Sequence, residues 1–135
     1  MACIFCEHKW PGDLVFEDDT VWVVLHEDWA VRGHAIVIPK THTLNLSDLD
    51  PRAGMRYSAA YRRAEIILLR ETQKERAIML KLGIITPHLH LHIFPVPATQ
   101  DRAFVMAMID GRTHEPRDEA FVKQIREAMD QFREI

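Results

Sequence analysis

His88-Leu89-His90-Leu91-His92-Ile93-Phe94 places an imidazole at every second position with an aliphatic side chain between each pair. A strand sends successive side chains to opposite faces. The spacing therefore predicts a strand over 86–94, with three histidines on one face and Leu89, Leu91 and Ile93 entering the core. Eight histidines in 135 residues seldom fall into such register by chance. Three readings of the histidine face stand side by side. It is the solvent side of a half-buried strand; or a metal site, in which His-x-His chelates zinc and an open position activates water; or a phosphate-handling site. In the last, a neutral imidazole attacks phosphorus while protonated neighbours meet negative charge.

The segments around it read as the rest of one sheet. Residues 77–82 are apolar enough for a strand, adjacent and antiparallel to 86–94 through a short loop at Gly83. Upstream, 14–16 and 20–26 are rich in β-branched and aromatic residues, and Glu17-Asp18-Asp19 supplies a hairpin turn between them. Gly33 opens a third strand over 34–38, and Pro39 ends it, since proline cannot continue an interior ladder. Asp50-Pro51 is a helix start: a side-chain acceptor at the cap, then proline where the first amide needs no partner. The helix runs to about Thr72, with Tyr57, Tyr61, Ala64 and Leu68 on one stripe. Pro95-Val96-Pro97 breaks the pattern, and the chain from there to Pro116 reads as irregular. Phe121, Ile125, Ala128, Met129 and Phe132 then share one face of a closing helix.

Composition narrows the function. At 135 residues, 47% apolar and 27% charged, the chain has a sizeable core and no room for a second domain. A net charge of −3 is no footprint for a nucleic-acid polymer, although it allows a single bound nucleotide. Apolar stretches fall far short of the roughly 20 residues that span a bilayer, so no membrane partner is expected. Met1-Ala2-Cys3-Ile4-Phe5-Cys6-Glu7-His8 has neither the basic start nor the apolar run of a secretory signal, which makes the cytoplasm the expected location. Its two cysteines, two residues apart, point to metal or redox chemistry rather than a structural disulfide.

Taken together, the segments resemble the histidine triad (HIT) superfamily of nucleotide hydrolases and transferases. The resemblance rests on the His-φ-His-φ-His-φ-φ pattern of 88–94, where φ is an apolar residue. It rests also on Cys3-Ile4-Phe5-Cys6, on Phe16-Glu17-Asp18-Asp19, and on Gly33-His34-Ala35-Ile36-Val37-Ile38-Pro39-Lys40-Thr41-His42 followed by Leu49. It implies an α+β fold: a five-stranded antiparallel meander sheet with one long helix and an extra C-terminal helix. That makes one domain over 1–135, with its core in 3–95 and an extension over 96–135.

The resemblance implies that His90 is the nucleophile, attacking the α-phosphate of a nucleoside phosphoramidate or dinucleoside polyphosphate. The nucleotidyl-histidine intermediate then releases a nucleoside monophosphate to water. A backbone carbonyl near His88 would fix the His90 tautomer, His92 would contact phosphate oxygens or help the leaving group depart, and His88 would organise the site. Ile4, Phe5 and Ile36 would border the pocket for a purine base. Family members commonly hold the ribose with an acidic residue where this chain has His26, leaving His26, Glu27 or Asp28 for that contact.

Some bacterial members resemble the chain in binding structural zinc, which would fall to Cys3, Cys6, His42 and His88, with His8 and His34 as substitutes. No organic cofactor is implied. A homodimer through the long helix and the strand near 77–82 is. Many members carry Gly-Gln-Ser/Thr before the triad, whereas Gly83 here precedes Ile84-Ile85-Thr86-Pro87. Two polar phosphate contacts are thereby missing, Thr86 alone offers a hydroxyl nearby, and a nucleotide-binding module with little or no turnover is the alternative.

Overall fold

The computed structural model describes residues 3–133. Five antiparallel strands form one sheet in the order β1-β2-β3-β5-β4: β1 Gly12–Glu17, β2 Val21–His26, β3 Ala35–Pro39, β4 Arg76–Leu80 and β5 Leu91–Val96. Three α-helices accompany it among the described residues, α1 Pro51–Thr72, α2 Arg102–Ile109 and α3 Glu119–Gln131, with a single 3-10 turn at Leu46–Asp48 before α1. The expected α+β sheet is present. Its first three strands form a meander, α1 carries the chain to the far edge, and β5 returns to lie between β4 and β3.

Alternation along the strands separates two apolar faces. Val21, Val23 and Leu25 of β2, Ala35 and Val37 of β3, and Ile93 of β5 join Leu89, α1 and α3 in the main core. The helix stripe read from the sequence is buried as expected, through Tyr57, Tyr61, Ala64 and Leu68, and α3 contributes Phe121, Ile125 and Met129. Asp50 caps α1 by accepting from the Ala53 amide at 2.9 Å, and Gln73 closes it in the left-handed conformation at φ 56°. Tyr57 donates its hydroxyl to the Val37 carbonyl at 2.6 Å, tying the helix to the middle of the sheet.

The opposite face has two separate covers. Residues 3–10 fold over β2 and β3, where Phe5 packs with Trp22, Val24, Ile36 and Ile38. On the β5–β4 side, α2 covers Phe94 and Val96 with the buried Met108. Reading 98–116 as irregular missed α2. Its signals were a cap at Asp101, which accepts from the Phe104 amide at 2.9 Å, and a stop at Asp110-Gly111.

Three boundaries also differ. Pro95 lies inside β5, opposite Ala77 and past Ala35, the residue where the β3 register ends, so its missing amide breaks no interior ladder. The β4 ladder spans Arg76–Leu80 rather than 77–82. The β5 ladder begins only at Leu91, so the connection from β4 is long rather than short, and His88 and His90 precede the paired strand. They still alternate, because the Leu89 amide bonds the Thr43 carbonyl at 2.7 Å and the Leu89 side chain enters the core.

Two glycines make opposite tests of this backbone. A methyl on Gly12, at φ 152°, would lie 1.9 Å from the Leu25 carbonyl oxygen, whereas one on Gly54 in α1 would meet nothing within 4 Å. Gly12→Ala should destabilise the protein by about 2 kcal/mol or more, and Gly54→Ala should stabilise it by about 0.5–1 kcal/mol. Denaturant unfolding of both variants checks the pair.

Candidate active site

The gap between the two covers is where the histidines emerge. The His90 ring packs edge-on against Phe5, with centroids 5.2 Å apart, and tilts toward His92 at 5.3 Å. His90 Nδ1 lies 2.8 Å from the carbonyl oxygen of His88. A carbonyl only accepts, so Nδ1 carries the proton and Nε2 keeps its lone pair. That is the tautomer a nucleophile needs, and the partner is the backbone carbonyl that the resemblance implies.

His92 is held from its other side. His92 Nδ1 lies 2.9 Å from His34 Nε2, and His34 Nδ1 lies 3.3 Å from the Asp28 carbonyl. The acceptor-only carbonyl puts the His34 proton on Nδ1, so His34 Nε2 accepts and His92 Nδ1 donates. His92 Nε2 is then the free lone pair. Burial pushes His34 down to about 2, with His26 and His92 adding to the shift. Burial likewise pushes His92 down to about 4, with His90 and His26 contributing, and His26 is lowered mainly by burial. His34 stacks between His26 and Phe94, with centroids at 4.6 and 4.1 Å. This contact replaces the suggestion that His34 substitutes as a metal ligand. His8 instead stacks on Trp10 at 6.0 Å.

Ile4, Phe5, His26, Ile36, His90 and His92, all singled out from the sequence, line one open cavity of about 420 Å³. Glu27 and Thr86 line it too, and exposed Ile84 and Ile85 stand at its rim. Of the acidic candidates beside His26, Glu27 therefore faces this cavity, while Asp28 faces a neighbouring one of about 250 Å³. A larger depression of about 510 Å³ between α1 and α3 is lined by no histidine, so volume alone does not locate the chemistry.

The His88 side chain turns away from the cavity and is 1% exposed. Its Nε2 lies 2.7 Å from the Pro39 carbonyl, which leaves Nδ1 unprotonated. That Nδ1 lies 3.3 Å from Cys3 Sγ, 3.6 Å from Cys6 Sγ and 3.1 Å from His42 Nδ1, and Cys6 Sγ lies 3.3 Å from His42 Nδ1. All four donor atoms fall within 4.8 Å of one another. Tetrahedral zinc, with Zn–S of about 2.3 Å and Zn–N of about 2.0–2.1 Å, separates its donors by about 3.3–3.8 Å. Two thiols and two imidazoles at this spacing fit zinc, and the carbonyl partner on His88 is the outer contact that orients a ligating imidazole.

The HIT domain family model matches residues 7–98. The chain is 28% identical to an uncharacterized HIT-like protein of Mycobacterium tuberculosis, over 97% of this chain and 95% of that protein. A zinc-bound histidine triad family protein from Mycobacterium smegmatis shares the fold with a TM-score of 0.75 and 24% identity, covering 97% of this chain and 95% of the other. A hypothetical histidine triad nucleotide-binding protein from Sulfolobus tokodaii matches with a TM-score of 0.74 and 22% identity, covering 95% and 92%.

The buried His34 links stability to acid. Unfolded, it binds a proton below its ordinary value near 6.5, whereas folded it stays neutral down to about 2. Its contribution is fully present above pH 6.5 and declines as the pH falls, by up to about 1.4 kcal/mol per pH unit. His34→Gln should flatten the fall in unfolding free energy between pH 6.5 and 5, measured by denaturant titration.

Proposed function

Because the chain belongs to the HIT domain family, we propose that it is a nucleotidyl hydrolase or transferase working through a covalent nucleotidyl-His90 intermediate. The observation that carries this reading is the 2.8 Å contact from His90 Nδ1 to the His88 carbonyl, which leaves Nε2 as the attacking lone pair beside the cavity. The substrate is a purine nucleoside phosphoramidate or dinucleoside polyphosphate, with its base against Ile4, Phe5 and Ile36 and its ribose near His26 and Glu27.

The Nε2–phosphorus bond forms as the bond to the leaving group breaks and that group takes the electron pair. The new imidazolium on His90 is stabilised by the His88 carbonyl dipole. His92, protonated beside the bound phosphate, gives its proton to the leaving group. It then takes one from the water that attacks the intermediate, which releases the nucleoside monophosphate and restores both histidines. His34 and the Asp28 carbonyl position His92 for both steps.

Cys3, Cys6, His42 and His88 would hold zinc in this reading, as a closed set of four protein ligands that supplies structure rather than chemistry. Bound there, zinc would fasten residues 3–6 to the segment that carries His88. Single-domain organisation over 1–135, a cytoplasmic location and independence from nucleic-acid polymers, membranes and organic cofactors complete it. No helix among the described residues is long and apolar enough to cross a membrane. A homodimer fits the open edge of the sheet at β4, where Met79 is 57% exposed.

A second reading, nucleotide binding with little turnover, is favoured by Ile84 and Ile85, which are 80% and 94% exposed where many relatives place polar phosphate contacts. A substrate labelled at the α-phosphate separates the two. Wild type should be transiently labelled, His90→Ala should not, and turnover should fall about a thousandfold or more in the folded variant. Tight binding without adduct or hydrolysis would establish the second reading. Elemental analysis should find one zinc per chain, lost in Cys6→Ser together with a fall in thermal midpoint on the order of 10 °C.

A further inference from the structure

The two acids that follow His26 face different cavities, and the one in the larger cavity, Glu27, has no role beyond its place near the ribose. Glu27 is exposed just past the end of β2. Its amide donates to the Pro11 carbonyl at 2.8 Å, which fixes its backbone against another residue of the cavity wall. The wall around it is apolar, made of Ile4, Phe5, Pro11 and Ile36. Among the described residues no other carboxylate lines this cavity, and no lysine or arginine does.

The other polar side chains of the lining leave recognition of the base to Glu27. His90 and His92 face the phosphate in the proposed reaction. His26 Nδ1 accepts from the Asp28 amide at 3.1 Å, so its Nε2 carries the proton and donates. The His26 ring centroid lies 6.2 Å from that of His92, which puts this donor on the phosphate and ribose side. Thr86 has a hydroxyl that can donate or accept, and so separates bases poorly. The Glu27 carboxylate only accepts. Guanine offers it two donors, N1–H and the 2-amino group, the second on the edge of the ring nearest the sugar. Adenine presents C2–H and the lone pair of N1 at the same edge. A lone pair facing a carboxylate is repulsive, so a residue that gains from guanine loses from adenine.

We infer that Glu27 is a specificity-determining residue that selects guanine over adenine, by accepting from N1–H and the 2-amino group of a base seated on Phe5 and Ile36. The inference rests on the nucleotidyl-transfer reading, with the base in this cavity. It assigns the sugar to His26, the neighbouring donor, and the base edge to Glu27. Because Glu27 is exposed, water competes for its oxygens. The selection is therefore that of a charge-assisted pair at the edge of a cavity, weaker than a buried one.

Titration calorimetry with GMP, IMP and AMP tests it without requiring turnover. GMP should bind about tenfold more tightly than AMP. IMP keeps N1–H but lacks the 2-amino group, and should fall between them. Glu27→Ala, at an exposed position, should bring GMP and AMP within about twofold of each other by weakening GMP. Glu27→Gln, whose amide offers one acceptor and one donor, should shift the ratio toward AMP. Equal affinity for GMP and AMP in wild type, or a preference for GMP that survives in Glu27→Ala, would overturn the assignment. So would a loss in Glu27→Ala shared equally by GMP and AMP and absent from their 2′-deoxy forms, which would make Glu27 a ribose ligand. In each of these cases a labelled His90 adduct would still uphold nucleotidyl transfer. No binding of any of the three nucleotides, together with no adduct, would overturn both.

Discussion

His88 is bound at three points, and the site hangs from it. Its Nε2 contacts the Pro39 carbonyl at 2.7 Å, its Nδ1 belongs to the Cys3–Cys6–His42 cluster, and its backbone carbonyl accepts from His90 Nδ1 at 2.8 Å. This stretch precedes the β5 ladder, so no run of strand hydrogen bonds fixes it. The side-chain contacts of His88 take over that task and thereby determine which nitrogen of His90 carries a proton. A metal in this cluster needs no contact with substrate to matter. It would restrain the carbonyl that orients His90 and, through Cys3 and Cys6, the intervening Ile4 and Phe5 that wall the cavity.

The sheet supplies the second constraint. One face is filled continuously by α1 and α3, which holds the strands in register. The other is covered at its two ends and left open between them, by residues 3–10 on one side and α2 on the other. The cleft is therefore an unfilled part of a layer rather than a hole in a core. This explains how His34, His92 and Phe94 can be buried or half-buried yet still border solvent-accessible cavities. It also explains why the two cavities differ in their walls: each is finished by a different cover.

Much of this was legible in the sequence because its signals are local. Alternation placed the three histidines on one side of the chain even where no ladder forms, and the Asp50-Pro51 cap with its apolar stripe placed α1. The Cys-x-x-Cys segment, His42 and His88 were gathered only by resemblance, since nothing local joins residue 3 to residue 88. What was not legible depends on contacts across the fold. His34 reads as one more histidine until β3 pairs with β5 and sets Ile36 opposite His92, which brings His34 beside His92. The late start of β5 reflects competition for the backbone, with Leu89 bonding Thr43 instead of a strand neighbour. α2 was missed because prolines on both sides outweighed its Asp101 cap and its apolar residues.

The electrostatics of the cleft constrain the proposed chemistry further. Phosphate is an anion, yet no lysine or arginine lines either cavity, and the buried histidines are held neutral. Ground-state binding would then draw on apolar contact with the base and on hydrogen bonds, with the proton that His92 takes up beside the phosphate as its cationic partner in the proposed mechanism. In the proposed attack, bond formation at Nε2 would turn His90 into a cation at bonding distance from the phosphorus. The His88 carbonyl already points at the Nδ1 proton of that cation, and His92 gains basicity from the same phosphate that its proton will relieve. The part of the charge pairing that His90 supplies would thus develop along the reaction coordinate instead of existing beforehand. Interactions of that kind lower the barrier rather than merely tighten binding. A fixed arginine at the same place would strengthen substrate binding from the outset and would contribute less to the difference between ground and transition states.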